Sequence, residues 1–387
     1  MTASTASPER RPVIALVTDA IYPYHRGGKE IRYHELINRL SSRAELHVYT
    51  MNWWRGERVR EGESATFHAL CRCHPMYVGS RRSIRQAAFF ALACLRLLAR
   101  RFDVLEADHM PYPQIMVLWL VATIRRKRLV VTWHEVWGRD YWHQYLGRAG
   151  ALAWLLEWLA MRAPDHIIAA SAQTADRLRS ATRGRTRLTV APNGIDLDAV
   201  ASTPPAGDLV DVVVVGRLID HKRVGMLLDA VALMHAAGRH VTCRVIGDGP
   251  DRAALHERAG RLGISGAVEF RHDVGEQKEL YGLLKSARVS AFPSAREGFG
   301  IAVLEAIACG LPVVTTSAPD NQARHLVARS ERGTICGESA QALADALADL
   351  LDRTPAGPAG SWLQDDTWLT EFGWDAAAAA VAGALLP

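Results

Sequence analysis

The sequence predicts an α/β protein made of two doubly wound domains in tandem, and three observations support this prediction. The chain has 387 residues, which exceeds one ordinary core and favours two domains of about 150–200 residues each. Short runs rich in Val and Ile alternate with helix-period stretches, a pattern typical of parallel sheets covered by helices on both faces. A Pro-rich, aperiodic segment, Ala201–Asp208, interrupts the alternation near the middle and is typical of a linker.

The elements follow in order along the chain. In the first domain the predicted strands are VIALVT, ELHVYT, DVLEAD, LVVTWH, HIIAAS and LTVAPN, separated by helices such as EIRYHELINRL and AGALAWLLEWLAMRA. After the linker the strands are DVVVVGRL, TCRVIGDG, AVEFRH, VSAFPS and PVVTT. We therefore predict domains at 1–203 and 204–365, and a segment 366–387 whose alanine-rich helix packs on its own domain or crosses back to the first. Such sheets bind ligands at the carboxyl ends of their strands, so we expect a ligand cleft that both domains face.

The composition and the motifs of the chain favour a soluble globular protein over a membrane-spanning, nucleic-acid-binding or zinc-binding one. The chain is 22% charged and 49% hydrophobic, which is typical of a soluble globular protein. The start, MTASTASPERRPVIALV, leads into a strand without a signal peptide, so we expect a cytoplasmic protein with reduced cysteines. No apolar run is long enough to span a bilayer, and no interleaved basic and aromatic motif indicates nucleic acid. The cluster HALCRCH lacks a second half-site, so an ordinary strand is favoured over zinc.

The two halves differ in charge. Residues 1–203 hold 29 basic and 18 acidic residues, whereas the remainder holds 17 basic and 23 acidic residues. The basic half would suit phosphate, an anionic acceptor or an anionic membrane. The segment 80–101, SRRSIRQAAFFALACLRLLARR, fits either an amphipathic arm on a membrane or a core-packed helix with basic ends, and the core-packed helix is favoured.

The stretch AREGFGIAVLEAIACGLPVV carries two carboxylates, Glu297 and Glu305, around a predicted helix start. The helix is expected from Phe299 or Gly300 to Cys309. Its free amides and the glycines favour a phosphate, so the carboxylates would suit the two sugars that flank a pyrophosphate. Alternatively, Glu297 caps the helix and Glu305 lies on a solvated face, and this stretch alone does not decide between the two interpretations.

Three further turns carry polar groups of the same kind. Arg217 and Lys222 follow the strand of VVVVGRLIDHKR, where two cations suit a diphosphate. Gly27 and Gly28 form a small-residue turn after the first strand, without the dinucleotide-binding spacing. His134 ends LVVTWH beside Trp133, Trp137, Tyr141 and Trp142, which suit a sugar face, although a strand-end histidine is more often structural.

The ordered set of motifs resembles the retaining glycosyltransferases of family 4, which have the GT-B fold of two Rossmann-like domains facing a cleft. The set consists of the Gly-Gly turn, TWHEVWG, APNGID, VGRLIDHKR, VIGDGPDR and EGFGIAVLEAIACGLPVV, and it covers nearly the whole chain. One loop departs from the family pattern: SAPDNQARHLV stands where a Gly-Gly-x-Pro-Glu turn is common, which leaves the donor sugar open.

The resemblance implies a role for each matched residue. Glu305 would bind the ribose and Glu297 the donor sugar, with His134 near both donor and acceptor. Arg217 and Lys222 would hold the diphosphate. The other implied donor-binding residues are Gly28, Glu30, Arg271, His272, Asp273, Gly298, Phe299, Gly300 and Ile301. The family usually needs no metal or other cofactor, and an Asp-x-Asp metal motif is absent from this sequence.

We therefore predict a retaining hexosyltransferase that moves a sugar from a nucleotide-sugar donor, with UDP or GDP as the nucleotide, to a hydroxyl acceptor. The acceptor is predicted to be a small molecule of secondary metabolism that contacts Asp19, Asp108 and Trp137; a lipid-linked acceptor at a membrane is the alternative. An epimerase or phosphorylase shares the fold, but none of the five lysines has a recognisable cofactor setting. A non-catalytic nucleotide-sugar-binding protein is the alternative from another class.

Overall fold

The computed structural model describes residues 10–25, 27–78, 81–355, 357 and 367–386, and the chain divides into two compact units. The first unit comprises Met1–Gly194 and Trp374–Pro387, and the second comprises Ile195–Gly373. The division falls before the Pro-rich segment because Asp196 caps a short helix, Leu197–Ser202, whose Val200 is buried in the second unit's core. The predicted start of the C-terminal segment, residue 366, lies outside the described residues.

The first unit is built on an eight-stranded sheet in its described part. In chain order the strands are β1 (Val13–Val17), β2 (Glu45–Asn52), β3 (Val59–Glu61), β4 (Thr66–Arg72), β5 (Val104–Asp108), β6 (Arg128–Trp133), β7 (His166–Ala169) and β8 (Arg187–Val190). Their spatial order is β8-β7-β6-β5-β1-β2-β4-β3, parallel except for the edge pair β3 and β4. The chain reverses its direction of travel across the sheet beside β1, which pairs with both β2 and β5.

The second unit has a six-stranded parallel sheet in its described part. Its strands are β9 (Val210–Val215), β10 (Cys243–Ile246), β11 (Val268–Arg271), β12 (Ala287–Phe292), β13 (Val313–Thr316) and β14 (Gly333–Cys336). The order β11-β10-β9-β12-β13-β14 is that of a Rossmann fold, with its switch point between β9 and β12. The Val-rich run in β9 is largely buried because helices cover both sheet faces.

Fourteen α-helices lie in the described residues of the two units. They are α1 (Gly28–Leu40), α2 (Ile84–Ala93), α3 (Tyr112–Arg125), α4 (Gly138–Leu146), α5 (Gly150–Ala160), α6 (Ala172–Thr182), α7 (Leu197–Ser202), α8 (Val224–Ala236), α9 (Arg252–Arg261), α10 (Gln277–Lys285), α11 (Ile301–Ala308), α12 (Arg324–Val327), α13 (Ala340–Arg353) and α14 (Trp374–Leu385).

The helices of the first unit cover its sheet on two faces. The apolar sides of α1 and α14 share one core cluster, whereas α2, α3, α5 and α6 share the other. The alanine-rich helix α14 thus belongs to the first unit, where Arg39 also pairs with Asp375. The predicted fold class of two doubly wound α/β domains is confirmed. Each sheet has a switch point, where the carboxyl ends of two neighbouring buried strands lead into loops on opposite sides.

Candidate active site

In the second unit, a lysine and a glutamate meet at the switch point. Lys222 lies in a short 3₁₀ turn after β9, and Glu297 lies in the turn after β12. The Lys222 ammonium contacts Glu297 Oε1, and the Ser294 hydroxyl donates to the same oxygen at 3.1 Å. The backbone N–H of Ala295 donates to His221 O at 2.8 Å, which ties the two turns together. Lys222 and Glu297, which the sequence analysis assigns to the diphosphate and to the donor sugar, are therefore in contact in the folded chain.

Glycine shapes the start of α11. Gly300 has a φ of +93°, a left-handed conformation, and a Cβ at this position would lie 2.4 Å from the Ala323 Cβ. The helix then begins at Ile301 and ends at Ala308, followed by Gly310, which agrees with the predicted bounds. The first amides of α11 are thus placed beside Glu297, where a helix N-terminus favours an anion.

Glu305 lies inside α11 and is 5% exposed, so the interpretation as a solvated-face residue is wrong. The Gln277 side-chain amide, from α10, donates to Glu305 Oε1. Burial raises the pKa of Glu305 to about 8, although the Gln277 hydrogen bond opposes this rise. A carboxyl group that accepts a hydrogen bond from one amide can still form a hydrogen bond with a further polar partner, such as a ribose hydroxyl.

The remaining predicted donor residues of the second unit lie on the same edge of its sheet or beside it. Arg217 is exposed directly after β9, whereas Phe299 is buried against the ring of Phe372. Arg271, at the end of β11, pairs with Asp273 at 2.8 Å and with Glu279 at 3.0 Å. His272, which lies between Arg271 and Asp273 in the sequence, is exposed.

The loop that departs from the family pattern has a defined structure. Asp320 and Asn321 form a short parallel ladder with Arg296 and Glu297. The Asn321 amide is fully buried and donates to Thr315 Oγ1 at 2.8 Å and to Thr316 O at 3.1 Å. Asn321 therefore fixes the backbone of the Glu297 turn through the ladder, a role that local sequence patterns did not indicate.

The first unit also gathers charges at its switch point, but there they are buried. Lys29, in the first turn of α1, lies 2.8 Å from Asp19 Oδ1 and 2.9 Å from Asp108 Oδ2. Asp19 also accepts from Arg82 at 3.1 Å and from Gln86 at 3.3 Å. Both aspartates are 0% exposed, which places these two predicted acceptor contacts in the interior of the unit.

The pKa values of this buried group follow from its pairing. Burial alone lowers the pKa of Lys29, but Asp108 and Asp19 outweigh it and the pKa is raised. Burial likewise works against ionisation of Asp108, yet the neighbouring Lys29 holds the pKa of that carboxyl below its usual range. The positive charge in the first turn of a helix is unfavourable with the helix dipole, and the two carboxylates compensate for it.

His134 follows β6 and lies beside this group. Its Nε2 is 3.8 Å from Asp108 Oδ1, and its ring is 5.6 Å from the ring of His109. Burial lowers the pKa of His134 to about 3, so the imidazole is neutral at physiological pH. A neutral imidazole with so low a pKa can hydrogen-bond a sugar hydroxyl but is a weak general base.

The other predicted residues of the first unit are spread around the same region. Gly28 begins α1, and Glu30 is 7% exposed with its carboxylate 3.7 Å from the Lys29 ammonium. Trp137 is half-buried, and its indole N–H donates to Glu135. Its backbone N–H donates at 2.8 Å to the buried Glu157, so Trp137 is held in place from two directions.

Among the described residues, one group of side chains has the spacing to hold a metal ion. Asp108, His109 and His134 each offer a ligand atom, and these atoms lie within 4.8 Å of one another. The Lys29 ammonium at 2.9 Å already supplies a positive charge to Asp108, which disfavours a second cation. The sequence did not indicate this group, because His109 gave no signal of its own.

Several residues of the two clusters were not predicted from the sequence. Gln277 and Ser294 hold the two glutamates of the second unit, and Lys29, Arg82 and His109 complete the cluster of the first. A signal existed for Lys29 alone, since a lysine directly after a Gly-Gly turn opposes the dipole of the helix that it begins.

Two family models match this chain over adjoining segments. The model for glycosyl transferases group 1 matches residues 199–356, and the model for Glycosyltransferase Family 4 matches residues 26–199. The chain belongs to glycosyltransferase family 4, as the sequence motifs predicted.

In the described residues, every helix is too short or too polar to cross a membrane.

Individual relatives agree with this assignment. A D-inositol 3-phosphate glycosyltransferase of Streptomyces scabiei is 30% identical over 244 residues, 57% of this chain and 54% of the relative. A GDP-mannose-dependent alpha-(1-6)-phosphatidylinositol dimannoside mannosyltransferase of Mycobacterium tuberculosis is 30% identical over 138 residues, 36% of this chain and 34% of the relative. The matches thus span about a third to about half of these relatives.

Solved structures extend the likeness to the whole fold. The sucrose-phosphate synthase of Thermosynechococcus elongatus superimposes with a TM-score of 0.75 over 96% of this chain and 98% of that structure, at 18% identity. At this identity the likeness concerns the fold. The two Rossmann-like units therefore have the GT-B fold.

Proposed function

We propose that the protein transfers a hexose from a nucleotide-sugar donor to a hydroxyl acceptor with retention of the anomeric configuration. The second unit is proposed to bind the donor, and the first unit to supply His134 and the residues that bind the acceptor. The observation that carries the proposal is the meeting of Lys222 and Glu297 beside the N-terminus of α11, with the buried Glu305 farther along the same helix.

The proposed role of each charged group follows from its surroundings. A diphosphate that reaches the helix start would compete with Glu297 for the Lys222 ammonium, which then neutralises the leaving phosphate. Glu297, released from that contact, would accept hydrogen bonds from the sugar. Glu305 would bind the ribose, at the opposite end of the diphosphate.

The acceptor proton is proposed to leave through the donor phosphate rather than through a protein base. The support is the low pKa of His134, about 3, which makes that imidazole a poor proton acceptor. His134 would instead orient a sugar hydroxyl. We propose that no metal or other cofactor is required, because Lys222, Arg217 and the helix amides together supply positive charge for the phosphates.

The acceptor is proposed to be a small hydroxyl-bearing molecule, with UDP or GDP as the donor nucleotide. Relatives named for inositol 3-phosphate and for phosphatidylinositol mannosides support a polyol acceptor, free or lipid-linked. The exposed apolar helices of the first unit, described below, are the observation that favours the lipid-linked alternative.

A donor screen tests the proposal. Purified protein is incubated with UDP-, GDP-, ADP- and dTDP-sugars, with and without inositol phosphates, and nucleotide release is measured. We expect release from one nucleotide class, rising with acceptor, and a product whose NMR coupling constant shows the donor's anomeric configuration. Lys222→Ala should lower release by about a hundredfold or more, whereas Lys127→Ala, at a surface pair with Asp103, should have little effect. An inverted product would refute retention, and nucleotide binding without release would favour the non-catalytic alternative.

A further inference from the structure

Exposed apolar side chains are concentrated on one part of the first unit. Of the sixteen large apolar side chains that are exposed among the described residues, eleven lie on α2, the turn after it, α3 and α5. Ile84, Leu92, Ile124 and Leu152 are 75%, 61%, 58% and 72% exposed. The other seven are Phe89, Leu95, Trp119, Leu120, Leu155, Trp158 and Leu159. We call this set of eleven side chains the α2–α3–α5 face.

The three helices lie next to one another, because α3 packs against both α2 and α5. Each helix already buries a separate apolar side in the core of the unit: Phe90 on α2, Leu118 on α3 and Ala160 on α5 are fully buried. The exposed residues are therefore additional to the core-facing ones, and the helices are apolar on their outer sides as well. A soluble monomer rarely presents so large a group of apolar side chains without using it.

The three segments that carry the α2–α3–α5 face are rich in basic residues and nearly free of acidic ones. Residues 64–102 contain seven arginines and no Asp or Glu, and residues 109–134 contain four basic residues and no Asp or Glu. Within residues 141–162 the one acidic residue is Glu157, which is fully buried and holds Trp137 and Trp142 in place. The surface is consequently apolar with a basic border, and it lacks exposed carboxylates in these three segments.

Aromatic and basic groups are paired along this border. The guanidinium of Arg162 lies 3.8 Å from the centre of the Trp158 ring, and that of Arg85 lies 5.6 Å from the Phe89 ring. A groove beside α2 is lined by Phe89, Leu92 and Arg96, with Cys71, His74 and Ala93. Side chains with an apolar body and a charged or polar tip are suited to the boundary between lipid chains and headgroups.

We propose that the α2–α3–α5 face docks the protein on the surface of a bilayer that contains anionic phospholipids. The apolar residues enter the region between headgroups and acyl chains, and the arginines contact lipid phosphates. A second copy of the chain is a poorer occupant, because a two-fold contact through this face would bring the two basic borders together. The proposal does not depend on the transfer reaction, since docking needs neither donor nor acceptor.

Vesicle flotation tests the proposal with the full chain and no substrate. Vesicles of phosphatidylcholine with about 30% phosphatidylglycerol are compared with vesicles of phosphatidylcholine alone, at low and at high salt. We expect at least tenfold tighter binding to the anionic vesicles at low salt and a loss of that preference at high salt, because salt screens the arginines.

Variants on exposed positions separate the apolar and the charged contributions. Leu92→Gln/Ile124→Gln/Leu152→Gln, with one change on each helix, should weaken binding at least tenfold. Arg85→Gln/Arg96→Gln should reduce the preference for anionic vesicles. The matched control is Leu209→Gln/Leu233→Gln/Ile335→Gln, at positions 39–45% exposed on the second unit, and it should bind as the wild type does.

Each outcome decides the proposal once circular dichroism has shown the variants to be folded. Absence of binding to either vesicle, or equal losses in the apolar variant and its control, overturns it. A wild-type dimer in sedimentation velocity that the apolar variant converts to monomer, without vesicle binding, assigns the α2–α3–α5 face to a second copy instead. If vesicle binding persists in a Lys222→Ala variant that transfers no sugar, docking stands apart from the reaction.

Discussion

The two units each place a lysine beside carboxylates at the switch point of a parallel sheet, but the two clusters differ in burial and in pairing. Lys29 in the first unit is held between Asp19 and Asp108, which are both fully buried. Lys222 in the second unit contacts one carboxylate, Glu297, and both side chains retain some exposure, 22% and 13%. The first lysine is enclosed by the protein, whereas the second can exchange its partner for a ligand.

The difference in burial predicts that Lys29 contributes to stability and that Lys222 contributes to the chemistry. A buried cation between two buried anions cannot leave without exposing unpaired charge to a low-dielectric interior. A partly exposed pair at a glycine-shaped helix start gains little stability from its own contact and can give it up to a phosphate. We therefore expect changes at Lys29 to destabilise the protein and changes at Lys222 to lower its activity.

The largest expected effect is on stability, at Lys29. Lys29→Met leaves Asp19 and Asp108 buried without their shared cation, and the free energy of unfolding should fall by about 3–5 kcal/mol. The control Lys127→Met removes a lysine from a surface pair with Asp103 and should cost less than about 1 kcal/mol. Urea denaturation of both variants measures the difference. Similar losses in the two variants would mean that the buried pairing stabilises no more than a surface pair does.

The next effect is on catalysis, at Lys222 and Arg217. Lys222→Ala and Arg217→Ala should each lower kcat by about a hundredfold or more, because each removes a cation that is proposed to stabilise the leaving diphosphate. Thermal unfolding midpoints should remain close to that of the wild type. Steady-state kinetics with the donor found in the screen provides the measurement, and near-normal turnover in both variants would remove the proposed phosphate role.

A smaller effect concerns the stability of the second unit and depends on pH. Burial raises the pKa of Glu305 to about 8, from an ordinary value of 4.5, so between these values the folded chain holds a proton that the unfolded chain has released. The free energy of unfolding therefore falls as pH rises through this window, and the loss is complete above pH 8. Glu305→Gln removes the titration, so it should stabilise the protein at pH 8.5 and have little effect at pH 4.5.

Urea denaturation at the two pH values measures this effect, with Glu331→Gln at an exposed glutamate as the control. The control should differ little from the wild type at either pH. A Glu305→Gln variant that is destabilised at both values would show that the carboxylate has a structural role that Gln cannot replace.

The smallest expected effect is that of metal removal. Activity should persist in EDTA, because protein cations and helix amides are proposed to bind the phosphates and because Lys29 already places a positive charge beside Asp108. Activity assays before and after chelation give the measurement. Loss of activity with EDTA that manganese restores would direct attention to the group Asp108, His109 and His134.

Much of the fold could be predicted from local patterns. The alternation of Val-rich runs and helix periods indicated parallel sheets, and the predicted start and end of α11 agree with the structure because Gly300 and Gly310 mark them. The edge strand β3 and the last strand β14 were missed. Both are short, β3 is exposed, and β14 is only partly buried, so neither has the apolar run that marks a central strand.

The candidate site was predicted less completely, for a physical reason. Lys222 and Glu297 stood out because each follows a recognisable strand, at the sheet edge where ligands bind. The partners Gln277 and Asn321 come from a helix and a loop whose local sequence gives no sign of where they point. The pairing of Lys29 with Asp108 joins residues on different elements, and one sequence contains no record of such contacts.

The most direct test of the account is calorimetry with free UDP and GDP on the wild type, Glu305→Gln and Glu297→Gln. If the two glutamates bind opposite ends of a nucleotide sugar, Glu305→Gln should weaken binding of the accepted nucleotide by about tenfold to a hundredfold at about pH 9, where Glu305 is ionised and its hydrogen bond to the ribose is charge-assisted. Glu297→Gln should bind that nucleotide as the wild type does and lose turnover with the intact donor. Equal losses of nucleotide affinity in the two variants, or no nucleotide binding by the wild type, would contradict the assignment of this turn as the donor site.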